Sequence, residues 1–325
     1  MGTSFAEQVR TSGRFGFQAV GGIVASEGSM QWDDIHGLPY EMQYVYGSMR
    51  AADGTYWWPI RGAFRDQTRR MHLSEAAPGE DFSWAAEGEA AYVGPAVHEE
   101  RDGWMGVWLP DGSRVMATKD RELHWTEGDF LDLHGELVGN AMQFFCPDEQ
   151  EPLVYTSRVF RGTGTIKGKA VTGLFLHDSM HMPLNVNFIA SAYITDLQAA
   201  WVAFATEYED GAVQVGHLIW GAEGFDLMLI ERSDGPPIVA RDLDVEVRLD
   251  GDYPVWIRYS GAGETWIWEA HPAGYRDPIR SDLPEGHRRI QGWCYREGEI
   301  RRPVCTEALM ETYNGRLADV ISKAP

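Results

Sequence analysis

From Tyr40 onward, apolar and polar residues alternate in short runs broken by glycine, proline and aspartate. A period of two places alternate side chains on opposite faces of an extended chain, so this texture predicts strands rather than helices. Three hairpins are marked by Asp-Gly, a dipeptide that accepts the positive φ of a tight turn. They are Ala51-Ala-Asp-Gly54 between residues 41–49 and 55–61, Pro110-Asp-Gly112 between 104–109 and 113–118, and Glu209-Asp-Gly211 between 201–208 and 212–220. Lys167-Gly168-Lys169 reads as a fourth turn. More strands are predicted over residues 130–138, 141–146, 153–160, 170–177, 185–195, 225–231, 238–249, 253–259, 265–270 and 290–296. Strands at intervals of about 8 to 12 residues describe an all-β chain, an antiparallel sandwich or barrel.

Two segments depart from that texture. Residues 1–39 hold no sustained period and read as an irregular lead-in with at most one short strand. Residues 306–321 space their apolar side chains at helical intervals behind Thr306, a residue type suited to an N-cap, and predict a C-terminal helix. Length divided by ~150 gives two domains. The polar, proline-bracketed Cys146-Pro-Asp-Glu-Gln-Glu-Pro152 is the expected boundary, which yields β units over 1–150 and 151–325. The turns keep no constant period, which disfavours a propeller.

Composition narrows the partners. The 325 residues carry 28 Lys and Arg against 49 Asp and Glu, a net charge of −21, so nucleic acid and anionic membrane surfaces are repelled. No run approaches the ~20 apolar residues of a spanning helix, so membrane insertion is not expected. Arg10 and Arg14 before an apolar stretch imitate a signal peptide only weakly, because Gln18 and nearby glycines interrupt it, and the cytoplasm is the expected location. Cys146, Cys294 and Cys305 match no metal or redox spacing and read as reduced thiols. The oligomeric state is left open, a homodimer included. Aromatic residues make up 12% of the chain, enough to fill barrels or to line a pocket for a hydrophobic small molecule.

Chemistry concentrates in the stretch from Arg161 to Pro183, where a glycine-punctuated hairpin leads into His177, Asp178 and His181. On an extended strand His177 and Asp178 face opposite ways, but Ser179-Met-His-Met-Pro183 reads as a bend that brings Asp178 toward His181. A carboxylate bonded to one imidazole nitrogen fixes the tautomer and yields an acid or base that works near neutral pH. The same residues also suit the cap and rim of an ordinary turn. A metal held by His177, His181 and His217 is the other sharp alternative. Substrate-contacting candidates are Trp57, Trp58, Arg61 and Arg65 in the first half, where arginine beside large rings suits an anionic or aromatic group. Tyr193, His217 and Trp220 are their counterparts in the second. Motifs for dinucleotide or phosphate binding, a serine-nucleophile elbow and the His-Glu-x-x-His zinc helix are absent, so no cofactor is expected.

Two successive all-β sections, an aromatic- and arginine-rich first section, and Gly162-Thr-Gly-Thr-Ile-Lys-Gly-Lys-Ala-Val-Thr-Gly173 followed by Asp178 at a strand end are similar to one family. The chain resembles the tandem lipocalin-like (calycin) proteins grouped with AttH and the bacterial carotenoid 1,2-hydratases, loosely from Tyr40 to Trp293. The resemblance implies two consecutive antiparallel lipocalin-like barrels or half-barrels with an apolar cavity. It also implies a cofactor-independent lyase or isomerase of hydratase, dehydratase, isomerase or cyclase type. On this reading Asp178, with His177 or His181, moves a proton on a terpenoid, steroid or aromatic substrate. A non-catalytic lipocalin-like carrier of a hydrophobic molecule is the alternative.

Overall fold

The computed structural model describes residues 20–24, 32–148, 150–251, 253–272, 287–313, 316, 317 and 321. Their strands form two antiparallel sheets, each curled into a half-barrel. The first has 13 strands among the described residues. Its path runs Ser83–Trp84, Gln67–Ala76, Tyr56–Phe64, Tyr40–Ala51, Lys169–His181, Leu153–Ile166, Leu131–Cys146, Glu122–Glu127, Arg114–Lys119, Trp104–Trp108 and Val97–Arg101. Off that path, Val20–Val24 pairs with Leu131–Cys146 and Gly94–Pro95 with Gln67–Ala76. The second sheet has nine, in the order Ile238–Ala240, Leu227–Arg232, Val213–Gly221, Gln198–Tyr208, Pro303–Tyr313, His287–Arg296, Glu264–Ala270, Tyr253–Gly261 and Asp244–Asp250. All four predicted hairpins are present. At the fourth, Lys167 and Gly168 both take positive φ, 52° and 74°, as a two-residue hairpin turn requires.

Buried apolar side chains of the described residues form three clusters. One, with Trp57, Trp125, Phe160 and Phe175, draws on the first sheet alone and fills its lumen. Another, with Phe204, Trp220, Trp266 and Trp268, fills the concave side of the second sheet. The third takes Met42, Tyr46, Trp58, Tyr155, Leu176 and Met180 from the first sheet and Trp201, Ile219, Leu229, Leu309 and Tyr313 from the second. The half-barrels are thus packed face to face through their central strands. Adjacent residues divide by strand parity, so Trp57 enters the first lumen and Trp58 the inter-sheet layer.

The glycine-rich stretch has a packing cause. A Cβ on Gly162 would lie 2.5 Å from the Phe175 ring, and one on Gly135 would lie 2.4 Å from it. Phe175 therefore needs bare backbone on the neighbouring strand, at Gly162, and on the strand beyond it, at Gly135, to lie in the lumen, where it stacks on Phe160 at 5.7 Å.

Several expectations are corrected. Residues 185–195 are not a strand but hold a 3₁₀ turn, Phe188–Ala190, and the start of a π-helical turn, Tyr193–Leu197. Asn187 accepts from the Ile189 N–H at 3.1 Å and Ser191 Oγ donates to the Phe188 carbonyl at 2.6 Å, local bonds that compete with a sheet ladder. The expected helix over 306–321 is a strand through most of its length, Pro303–Tyr313, with helical residues described only at 316, 317 and 321. From Glu307 onward that strand is buried on both faces, Leu309 and Tyr313 between the sheets and Ala308 and Met310 in the second lumen, and the consecutive Ala308, Leu309 and Met310 break the alternation and imitate helical spacing. The expected boundary near residue 150 falls inside the first sheet, because the Cys146–Pro152 connector joins two neighbouring strands. The chain changes sheet between His181 and Gln198. A hairpin loop and a linker share the same polar, proline-rich composition. The strands predicted over 130–138 and 141–146 are one, Leu131–Cys146, with a register shift between Val138 and Met142 where Gly139 takes φ 68°. Of the lead-in, residues 1–19 and 25–31 lie outside the described residues.

Candidate active site

The Lys169–His181 strand runs straight through Ser179, so the expected bend is absent and parity decides where each ionisable group points. Asp178 shares a face with Leu174, Leu176 and Met180 and enters the inter-sheet layer. His177 shares the other face with Val171 and Phe175 and enters the first lumen, where its Nε2 meets Gln43 Oε1 at 2.7 Å. Burial pushes the His177 pKa down to about 3, helped by the Arg158 cation, so it stays neutral. His181 is also fully buried, its ring 5.9 Å from that of Tyr40 after a register shift between Met180 and His181. Neither histidine lines the cavity that Asp178 lines.

Asp178 Oδ2 accepts two phenolic hydrogens, from Tyr46 at 2.7 Å and from Tyr155 at 2.5 Å. Burial, and then the neighbouring Asp178, push both phenols well above their ordinary range, so they remain donors. Oδ1 is buried and bonds to no described residue. The carboxyl is thus gripped by one oxygen and presents the other.

Opposite, the alternation Val213, Val215, His217, Ile219 turns His217 toward the same layer. Trp201 Nε1–H donates to His217 Nδ1 at 3.0 Å, which leaves the ring proton on Nε2. The imidazole packs on Tyr155 with ring centroids 5.6 Å apart. Burial lowers its pKa, and the Asp178 charge opposes this only in part, so the ring is neutral and its Nε2–H is a donor bonded to no described residue.

Asp178, Tyr46, Tyr155 and Trp201 line a cavity of about 400 Å³ between the sheets, and His217 lies behind Tyr155 and Trp201. Tyr44, Tyr46, Ile60, Tyr155, Asp178 and Met180 form one wall, and Trp201, Ala203, Arg289, Leu309 and Tyr313 the other. Phe188, Ile189 and Ile194, from the segment that crosses between sheets, close one side, and the exposed Gln67, Arg70 and Val93 frame an open end. A second buried carboxyl lies beside this layer. Glu307 accepts from Trp58 Nε1–H at 2.9 Å and from Ser48 Oγ, and Ser48 in turn meets the Tyr56 hydroxyl. Burial raises its pKa to about 7 against these donors, and its charge reaches Tyr46.

The other sequence candidates lie elsewhere. Trp57 sits in the first lumen and donates to Glu75 at 3.1 Å. Arg61, fully buried there, pairs with Glu127 at 3.1 Å and donates to the carbonyls of Arg69 and Tyr92, both at 2.6 Å. Arg65 pairs with Glu41 at 2.7 Å and holds the Leu184 carbonyl at 3.1 Å. Trp58 is committed to Glu307, the Tyr193 hydroxyl donates to the Glu151 carbonyl, and Trp220 faces the second lumen. Of the residues singled out from sequence, Asp178 lines the cavity and His217 abuts it through Trp201 and Tyr155. Tyr46, Tyr155 and Trp201 went unnoticed as site residues, because only strand pairing brings 46, 155 and 178 together. The three-histidine metal set is not assembled, and among the described residues no three His, Cys, Asp or Glu side chains are arranged to hold a metal ion.

The chain thus has the fold of two consecutive lipocalin-like half-barrels, with a buried carboxyl at the wall of a ligand-sized cavity between their sheets. No protein-family model matches the chain and no curated protein is similar to it in sequence. Solved structures are similar in fold. A protein assigned as AttH from Nitrosomonas europaea has a TM-score of 0.50 at 15% identity, over 90% of this chain and 99% of that one. Kievitone hydratase from Nectria haematococca has a TM-score of 0.52 at 8% identity, over 90% and 93%. CghA, solved with Sch210972, is similar at a TM-score of 0.43 and 11% identity, over 91% and 97%. The resemblance read from the sequence is borne out as a fold.

Proposed function

We propose that this protein is a lyase or isomerase that moves a proton through Asp178 on a hydrophobic terpenoid, steroid or aromatic substrate, without a cofactor. The observation that carries the reading is the asymmetry of Asp178, with Oδ2 held by two phenols and Oδ1 unmatched at the wall of the cavity between the sheets. A carboxyl fixed in that way exchanges a proton with a ligand through Oδ1, while Tyr46 and Tyr155 steady whichever charge state the exchange leaves. The neutral His217 backs the cavity wall, accepting from Trp201 at Nδ1 and packing on Tyr155, and takes the supporting place first given to His177 and His181. Hydration, dehydration, isomerisation and cyclisation all draw on this arrangement. The kievitone hydratase similarity supports such chemistry by fold alone.

The test is solvent-hydrogen exchange. Wild-type protein is incubated in deuterated water with a panel of apolar olefins and enolisable ketones, and products are read by mass spectrometry for incorporated deuterium. We expect Asp178→Asn to lower incorporation by ~10²–10⁴-fold while ligand affinity is retained, the usual cost of losing a proton-transfer group. An Asp178→Asn variant that turns over like wild type rejects the assignment, and wild-type binding without any turnover favours the carrier.

A further inference from the structure

Gln198 opens the strand that crosses from the π-helical turn into the second sheet, and its side chain lines the cavity. It is fully buried, yet neither its Nε2 nor its Oε1 has a hydrogen-bond partner among the described residues. Buried amides are ordinarily satisfied, and leaving one unmatched is destabilising. Leucine or methionine would fill the same space at no such cost. Trp201, Ile194 and Ala203 line the same cavity, with His287, Arg289 and Glu311 among its polar residues, while Tyr155 is engaged with Asp178 and Trp201 with His217.

We infer that Gln198 is a specificity-determining residue, whose carboxamide reads a donor and an acceptor placed side by side on the ligand. The inference rests on the cavity being the ligand site proposed above. An amide presents one carbonyl and one N–H₂ in a plane, and its complement is a group of the same shape. Carboxamides, carboxylic acids and hydroxylated or enolised carbonyls qualify, whereas plain hydrocarbons and ethers do not. The substrate class is thereby narrowed from any apolar molecule to apolar rings or chains carrying such an oxygenated group. That group brings its neighbouring carbon toward Asp178 Oδ1, another unmatched polar atom on a residue that lines the cavity.

The experiment uses two uncharged probes of similar size, 2-naphthamide and 2-ethylnaphthalene, titrated calorimetrically into the full-length protein. Wild type is expected to bind the amide at least ~tenfold more tightly, and Gln198→Leu to bind the two alike. Relief of the unmatched amide is expected to raise the Tm of the ligand-free Leu variant by about 2 °C. Gln198→Met, closer in shape, is measured beside it so that a folding defect in one variant does not obscure the result. Equal binding of both probes by wild type, or a preference that survives in both variants, overturns the role of Gln198 and leaves the cavity assignment standing. Failure of both probes to bind removes the cavity reading and this inference with it.

Discussion

His177 and Asp178 are neighbours in sequence and both are buried, yet they belong to regions built on different terms. The first lumen, where His177 lies, is packed by aromatic rings, and its central charged pair is matched: Arg61 meets Glu127, two carbonyls take its other hydrogens, and Trp125 Nε1–H donates to Glu127 at 2.9 Å. The layer between the sheets, where Asp178 lies, encloses about 400 Å³ and keeps unmatched polar atoms on Asp178, His217 and Gln198. The lumen too keeps unmatched atoms, His177 Nδ1 and Gln43 Nε2 among them, but in the layer between the sheets Asp178 and Gln198 bring such atoms to the wall of a cavity. On the proposed reading the vessel is the seam between two half-barrels rather than the lumen of either.

The sharpest way to break that contrast is to unmatch the lumen. Arg61→Met leaves Glu127 buried without its cation and two carbonyls without a donor, and is expected to cost about 3–5 kcal/mol in urea unfolding. Adding Glu127→Leu to that variant should recover part of the loss. A pair that can be broken at no cost would mean the lumen is not held as described.

A smaller effect should come from pH. Glu307 and Glu127 both have pKa values raised by burial to about 7, against an ordinary value near 4.5. Between those limits the folded protein keeps a proton that the unfolded chain has lost. Their contribution is complete below pH ~4.5 and fades as pH rises through ~7, by on the order of 3 kcal/mol for each group. Thermal unfolding should show Tm falling across that window, and Glu307→Gln, which can still bond Trp58 and Ser48, should flatten about half of the slope. A Tm that climbs over the same interval contradicts the burial argument.

The smallest effect sharpens the division between the two faces. His177→Leu lies one residue from the proposed proton-transfer group, yet its activity in the deuterium assay should stay well short of the ~100-fold loss that removing such a group produces. A collapse comparable with that of Asp178→Asn would show that the sheet does not separate the two sites.

Much of the fold was legible because strands and tight turns are local. Asp-Gly and Lys-Gly steps name their own hairpins, and period-two alternation survives without knowledge of any partner. The errors share one cause, competition that alternation cannot register. At 185–195 the side chains of Asn187 and Ser191 bond the nearby backbone and turn a strand-like sequence into short helical turns. At 307–313 a strand buried on both faces loses its alternation and reads as a helix. Gly162 belonged to the stretch that led toward the chemistry, yet with Gly135 it makes room for the Phe175 ring.

By itself the sequence determined an all-β chain, its hairpins, its repulsion of polyanions, and Asp178 as a carboxyl near the end of a strand. It even stated the parity that sends His177 and Asp178 apart, and a supposed bend overrode it. Only the tertiary structure decided the site. Tyr46, Tyr155 and Asp178 meet because the Tyr40–Ala51 and Lys169–His181 strands are hydrogen-bonded neighbours despite their distance along the chain. His217, Trp201 and Gln198 join them because a second sheet packs on the outer face of the first. Strand order and sheet docking are non-local, fixed by which surfaces bury best against each other, and no local pattern of residues encodes that choice.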